Sequence, residues 1–339
     1  MEFTENRETF SKIAALYYLA EMSQDEIADI FGISRFKVSR ILKKCRSMRI
    51  VEFKVNTNPE YLHNLESEIA DKLGISRTMV VPSGSTLQES KENVAKMAAK
   101  HLEETIRDGM KIGLSWGSTI QQTVKHYHKT KYYPKTIFVQ LSGSLCSRPI
   151  LGDGYIDGNI FVQQFASKAH SEWSVFMVPY IVQNPVLKEM LYEEPQIKKH
   201  VELFKELDMA LIALGSEYPI KSVSYLSGYL TYEETKKLAD DGMSADICGT
   251  RLTPDGEIRE TILTNRVLTI DPIDLRRIEN VCAIGAGMEK AHSFIAGCRS
   301  GLIKIAIMDE VCAISILSRI KNLHSQELAK KDEEIEFAI

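Results

Sequence analysis

From Thr78 onward, short β-rich runs alternate with helix-forming stretches, and this alternation restricts the possible folds more than any other feature of the chain. The strand candidates are Met79–Val81, Lys111–Ser115, Thr136–Leu141, Val175–Val178, Met209–Leu214, Val267–Ile270, Val281–Ile284 and Ile303–Met308. Helical patterns at 90–107, 118–128, 159–169, 231–240 and 287–299 lie between most of them. Strands linked by helices build crossover units, which cover both faces of a largely parallel sheet. The expected fold class is therefore α/β. Apolar residues make up 44% of the 339 and charged residues 26%, enough to close a large core. At roughly 150 residues per domain, the length suits two.

The segment ahead of this pattern has a different character. Phe10 to Ala20 carries apolar residues at helical spacing. Ser23-Gln24-Asp25-Glu26 matches the capping box that satisfies free amides at a helix start. A short helix then places Ile27, Ala28, Ile30 and Phe31 inward. Gly32 permits the positive φ of a tight turn, and Ser34 caps a second helix to about Met48, with Phe36, Val38, Ile41 and Leu42 facing the core. Two helices joined so tightly fit a helix-turn-helix.

Charge supports that reading. The whole chain carries −4, yet between Ile33 and Lys54 the bases are Arg35, Lys37, Arg40, Lys43, Lys44, Arg46, Arg49 and Lys54 against the single acid Glu52. A basic block on an acidic chain is the pattern of a polyanion-binding module joined to another unit. Ser34, Arg35, Lys37, Ser39, Arg40, Lys43 and Lys44 are the candidate contacts to phosphates and base edges. Arg49–Val55 alternates like a strand and suits a small wing. The domains expected are 1–55 for DNA, 56–77 as linker and helix, and 78–339 for a ligand. In the middle segment, Leu62, Leu65, Ile69 and Leu73 form a stripe that either packs on the larger domain or pairs with another subunit.

Other classes are disfavoured. No run approaches the 18 apolar residues of a membrane span, and the N-terminus lacks the apolar stretch of a signal peptide. The cysteines at 45, 146, 248, 282, 298 and 312 form no C-x-x-C pair, which argues against a zinc ribbon or disulfide framework. A cytoplasmic protein without metal or cofactor is expected. Gly285-Ala286-Gly287-Met288-Glu289-Lys290 lacks the third glycine of a dinucleotide fingerprint.

Ligands of open parallel sheets bind beyond the carboxyl ends of the strands. One such junction is Gly113-Leu114-Ser115-Trp116-Gly117-Ser118-Thr119-Ile120, where a strand gives way to a helix. Free amides and two hydroxyls at a helix start make a phosphate cradle. The same letters spell G-x-S-x-G, the nucleophile elbow of hydrolases, and a triad could draw on Asp271 or Asp274 with His292. Few strands precede this turn, and no oxyanion loop does. Further polar groups at strand ends are Gly143-Ser144, Arg148, Asp157 to Asn159, Asp246 and Lys290.

Together these landmarks resemble the SorC/DeoR-type sugar-binding transcriptional regulators over nearly the whole chain. The resemblance rests on MSQDEIADIFGISRFKVSRILKKCR, GLSWGSTI, DGNIFVQQFASK, ADICGTRLTPDGEI and AIGAGMEKAHSFIAGCRSGLIKIAIMDEVCA, in that order. It implies a C-terminal domain like the phosphosugar isomerase and glucosamine-phosphate deaminase fold, used to sense a sugar or sugar phosphate. By that resemblance Gly117, Ser118, Thr119, Arg148 and Lys290 would hold a phosphate, with Gly143 nearby, while Asp246 and Asn159 would meet sugar hydroxyls. The expected partner is an operator in double-stranded DNA, and because one small helix-turn-helix reads only a short site, a dimer or tetramer spanning two half-sites is expected. No catalytic residue is expected. The competing reading is an enzyme, either a phosphosugar isomerase or deaminase or a serine hydrolase.

Overall fold

The computed structural model describes residues 3–53, 58–128, 132–145, 157–216 and 222–322. Its contacts divide the chain into Met1–Asn56 with Ser83–Ser90, and Thr57–Pro82 with Lys91–Ile339.

In the first unit, Asn6 caps α1 (Arg7–Tyr18), and the Ser23–Glu26 capping box opens α2 (Gln24–Phe31). Gly32 ends α2 at φ 63°, and Ser34 starts α3 (Arg35–Ser47) by accepting from the Lys37 amide at 3.2 Å. Phe10, Ile13, Ile27, Ala28, Phe31, Val38, Ile41, Leu42 and Cys45 close one core. Two residues expected inside are on the surface: Ile30 is 50% and Phe36 88% exposed. Ile30 flanks the buried stripe of α2, and Phe36 stands on the face of α3 opposite Val38, Ile41, Leu42 and Cys45. The wing is not formed among the described residues: Arg49 turns at φ 51° and 51–53 join no strand. Lys54 and Val55 lie outside the described residues.

The second unit begins with α4 (Pro59–Leu73), whose Leu65, Ile69 and Leu73 are buried in the main core. That stripe is spent within the chain and is closed to a second subunit. Glu66 of α4 also accepts from the Val80 amide at 2.8 Å, satisfying a donor on the edge strand β1 (Arg77–Val81). There follow α5 (Leu87–Thr105), β2 (Lys111–Leu114), α6 (Ser118–His126), β3 (Ile137–Gln140), α7 (Gly158–Ala169) and β4 (Glu172–Ser174). Next come α8 (Pro185–Glu193), α9 (Pro195–Leu203), β5 (Met209–Ser216), α10 (Val223–Leu226), α11 (Tyr232–Asp240), β6 (Ala245–Ile247) and β7 (Thr250–Leu252). The described chain finishes with α12 (Pro272–Arg277), β8 (Asn280–Gly285), α13 (Ala291–Arg299), β9 (Ile305–Asp309) and a helix, α14, over 310–322.

The main sheet is parallel, in the order β1-β9-β8-β5-β2-β3-β4, with β6 and β7 added antiparallel at the end of β5. Successive strand residues feed opposite faces. Leu114, Leu211 and Ile284 pack against α5 to α7, while Ile212, Ala283 and Met308 pack against α4, α13 and α14. From β2 the chain steps outward through β3 to β4, and from β5 it steps the other way through β8 to β9. The order reverses between β2 and β5, the point where open sheets leave a crevice.

Three expectations about elements need correction. Val175–Val178 is not a strand; the ladder ends at Ser174, because the Phe176 amide donates to the Gln140 side chain at 2.9 Å. Val267–Ile270 contributes only single bridges, Val267 to Ile181 and Thr269 to Ser142. The Gly287 turn leads into a short 3₁₀ turn, so Lys290 stands at the residue before α13, without a side-chain capping bond, rather than in its first turn.

Candidate functional site

On α3, Arg35, Arg40, Lys43 and Lys44 are exposed, while Lys37 and Ser39 are half-buried. Ser34 is occupied as the helix cap. The cations gather acidic neighbours from their own unit. Glu5 lies 3.3 Å from Lys37, 3.7 Å from Arg40 and 3.6 Å from Lys44, and Asp25 is 3.8 Å from Arg35. The Lys37 hydrogen bond, with the charges of Lys44, Lys37 and Arg40, holds the Glu5 carboxyl below its usual range. Such solvent-exposed pairs are worth little individually, so a polyanion can take Glu5's place.

In the second unit, a cavity of about 250 Å³ opens where the strand order reverses. The loop after β2, the end of β5, the turn after β8 and the β6–β7 hairpin form its walls. Gly117 sits at φ 146°, and a Cβ there would stand 3.0 Å from the Ala213 side chain, so a larger residue would push β2 and β5 apart. Its turn delivers Ser118 and Thr119 to the start of α6, where first-turn amides have no intrahelical acceptor. Ser118 Oγ accepts from Lys91 Nζ at 3.0 Å. Across the cavity, Lys290 Nζ donates to the Leu214 carbonyl at 2.6 Å, and Ser293 donates to the Gly215 carbonyl at 2.7 Å. These bonds tie the turn after β8 to the end of β5.

Lys290 has no carboxylate within ion-pair distance among the described residues, and its single bond uses one of three ammonium donors. Loss of water, then the neighbouring charge of Lys91, pulls its pKa down to about 8. Two lysines therefore meet a helix N-terminus in one enclosed space, an arrangement that favours an anion.

The opposite wall is different. Trp116 and Tyr180 meet edge-on with centroids 5.1 Å apart, beside Val223 and Leu226. Asp246 lines the cavity, but Oδ1 pairs with buried Arg251 at 2.9 Å and accepts from the Gly249 amide at 2.8 Å. Cys248, at φ 47°, turns the hairpin there, a left-handed conformation uncommon outside glycine. Asp246 thus braces the hairpin as well as facing the cavity.

Of the predicted site residues, Gly117, Ser118, Thr119, Asp246 and Lys290 converge on this cavity. Gly143 and Asn159 do not line it: the Gly143 amide donates to Leu268, and Asn159 bonds Ser144 and Asp157. Gly143 is held to glycine by backbone, since a Cβ would fall 2.6 Å from the Pro179 oxygen. Arg148 lies outside the described residues. Sequence reasoning did not pick out Trp116 or Arg251, although both lie inside motifs it singled out, nor Lys91, Ser142 and Tyr180, which come from separate parts of the chain. Ser115 Oγ accepts from the Ala213 amide at 2.8 Å and, among the described residues, bonds no histidine. Its hydroxyl links two strands. Among the described residues no group of three metal-ligating side chains gathers, and no helix is long and apolar enough to cross a membrane.

The family description "Putative sugar-binding domain" matches residues 57–318, and "Sigma-70, region 4" matches 9–47, the stretch of α1 to α3. The chain is 25% identical over 315 residues to the deoxyribonucleoside regulator of Bacillus subtilis, covering 93% of this chain and 98% of that one. It is 27% identical over 308 residues to the sorbitol operon regulator of Klebsiella pneumoniae, covering 89% and 94%. The crystal structure of that full-length Klebsiella regulator superposes with a TM-score of 0.71 at 24% identity, covering 93% of this chain and all of the other. At that identity the structural likeness is one of fold.

Proposed function

This chain belongs to the sugar-binding-domain family of transcriptional regulators, and from that membership we propose that its cavity binds a phosphorylated sugar that alters operator affinity. The observation carrying the phosphate is Lys290, a partly buried ammonium with a carbonyl as its hydrogen-bond partner, facing Ser118, Thr119 and Lys91 across one cavity. The phosphate would sit between α6 and Lys290. Sugar hydroxyls would lie toward Ser142 and Asp246, with C–H faces against Trp116 and Tyr180. We assign residues 1–55 to DNA, 56–77 to a connecting helix packed on the larger domain, and 78–339 to the effector. The protein acts in the cytoplasm, as an oligomer whose paired helices span two half-sites about 34 Å apart.

Linkage supplies the mechanism. An effector that prefers one arrangement of the subunits shifts operator affinity by the same factor that DNA shifts effector affinity, typically about 1–3 kcal/mol. We assign no reaction to it. The relatives matched are named as regulators, and the Ser115 hydroxyl is engaged with Ala213; both weigh against the hydrolase reading.

A thermal-shift panel of hexose and pentose phosphates beside the corresponding free sugars and polyols tests the reading. A ligand at one hundred times its dissociation constant should stabilise the fold by about 2.7 kcal/mol. Stabilisation by phosphorylated members alone is the expected result. Stabilisation by free sugars alone would remove the phosphate from the proposal, and light scattering showing a monomer with and without DNA would remove the oligomer.

A further inference from the structure

Phe36 is a large apolar residue, yet it is 88% exposed, on the face of α3 opposite the buried Val38, Ile41, Leu42 and Cys45. It is the second residue of α3, beside Arg35 and one turn ahead of Arg40. The core of this unit closes without it. Cations of the unit pass over the rings of Phe3, Phe10 and Phe53, and Phe36 takes no part in those contacts. A bare phenyl ring therefore stands in the middle of Arg35, Lys37, Arg40, Lys43 and Lys44.

An apolar protein partner would have to bury those cations, which is costly; a nucleic acid would pair with them. The first residues of a recognition helix meet base edges in the major groove. Along that groove the apolar group on the base edges is the thymine C5-methyl. We propose that Phe36 packs against the C5-methyl of one thymine in each operator half-site and so sets a sequence preference that the neighbouring cations cannot. The proposal rests on the reading of α3 as the helix that enters DNA. The cations fix the backbone and read guanine; the phenyl ring reads a methyl group.

The test uses the full-length protein. Binding duplexes are enriched from a random library, and each thymine of the enriched site is replaced in turn by deoxyuridine, which lacks only the methyl. At one thymine per half-site, affinity should fall about fourfold, the equivalent of one buried methyl group. Phe36→Ala should bind thymine and deoxyuridine duplexes equally at that position while melting at the parent temperature. Phe36→Leu, a conservative second variant, should keep part of the discrimination. Enrichment of a site at which no deoxyuridine weakens the parent would overturn the assignment of Phe36 alone, as would discrimination that survives in Phe36→Ala. Failure to enrich any duplex would overturn the DNA reading and this inference with it.

Discussion

Arg40 and Lys290 carry the same charge into opposite surroundings. Arg40 stands in solvent with Glu5 3.7 Å away, among several cations on one helix face. Lys290 is partly buried, and its ammonium meets a carbonyl oxygen rather than a carboxylate. Exposed cations keep their hydration and act collectively on a polyanion, largely by displacing its counterions. A cation stripped of water is poised instead for one anion, and its protonation becomes adjustable. The helical unit thus spreads its positive charge over many exposed side chains, whereas the cavity concentrates it in Lys91 and Lys290.

That difference is open to attack, most forcefully at Lys290. Lys290→Ala should weaken a phosphorylated effector by about 1.5–3 kcal/mol, the usual worth of a hydrogen bond to a charged group. Operator binding without effector should stay at the parent level. Calorimetry finding equal affinity in parent and variant would misplace the phosphate. On α3, Arg35→Ala with Arg40→Ala should cost about 1–3 kcal/mol if a bidentate base contact is lost, or flatten the salt dependence if only phosphates are touched. A folded double variant with parental affinity and salt slope would dissolve the assignment.

The pH profile separates the two kinds of cation further. The Lys290 pKa is lowered to about 8, so its charge disappears as pH rises through that value. Phosphate-ligand affinity should therefore drop about tenfold between pH 7 and 9, with proton uptake on binding near the upper end. Lys290→Arg should remove this dependence, because guanidinium stays charged throughout. A profile flat to pH 10 in the parent would contradict the role of Lys290. The smallest effect is expected at Glu5. Glu5→Gln removes the carboxylate shared by Lys37, Arg40 and Lys44, so DNA binding should strengthen modestly at low salt and lose that gain at high salt. Weaker binding would show that Glu5 orders the face rather than competing with DNA.

Much of this architecture is legible in local pattern. Ser23 and Glu26, Gly32 and Ser34 mark the ends of α2 and α3 because caps and turns are decided within a few residues. The loop from Ser115 to Thr119, which lines the cavity, is legible for the same reason: a strand must end, a glycine must turn, and a helix must begin. Ile30 lies at the edge of its stripe, whose width helical periodicity does not fix; Phe36 is apolar, but helical spacing itself sets it opposite Val38, Ile41 and Leu42. Val175–Val178 has strand-like composition, but its Phe176 amide found the Gln140 side chain, 36 residues away, before it found a ladder.

What the sequence determined by itself were the features whose energetics are local: the helix-turn-helix, its basic face, the alternation that makes a parallel sheet, and five of the residues around the cavity. Tertiary structure decided which distant groups share that cavity. Lys91 reaches Ser118 from 27 residues away, and Lys290 reaches the Leu214 carbonyl from 76. It also set Arg251 beneath Asp246, and it spent the α4 stripe on the core. The reason is physical. A cap or turn lowers its free energy within its own few residues, but the protonation of Lys290 and the engagement of Asp246 depend on what the folded sheet places beside them and how much water it leaves there.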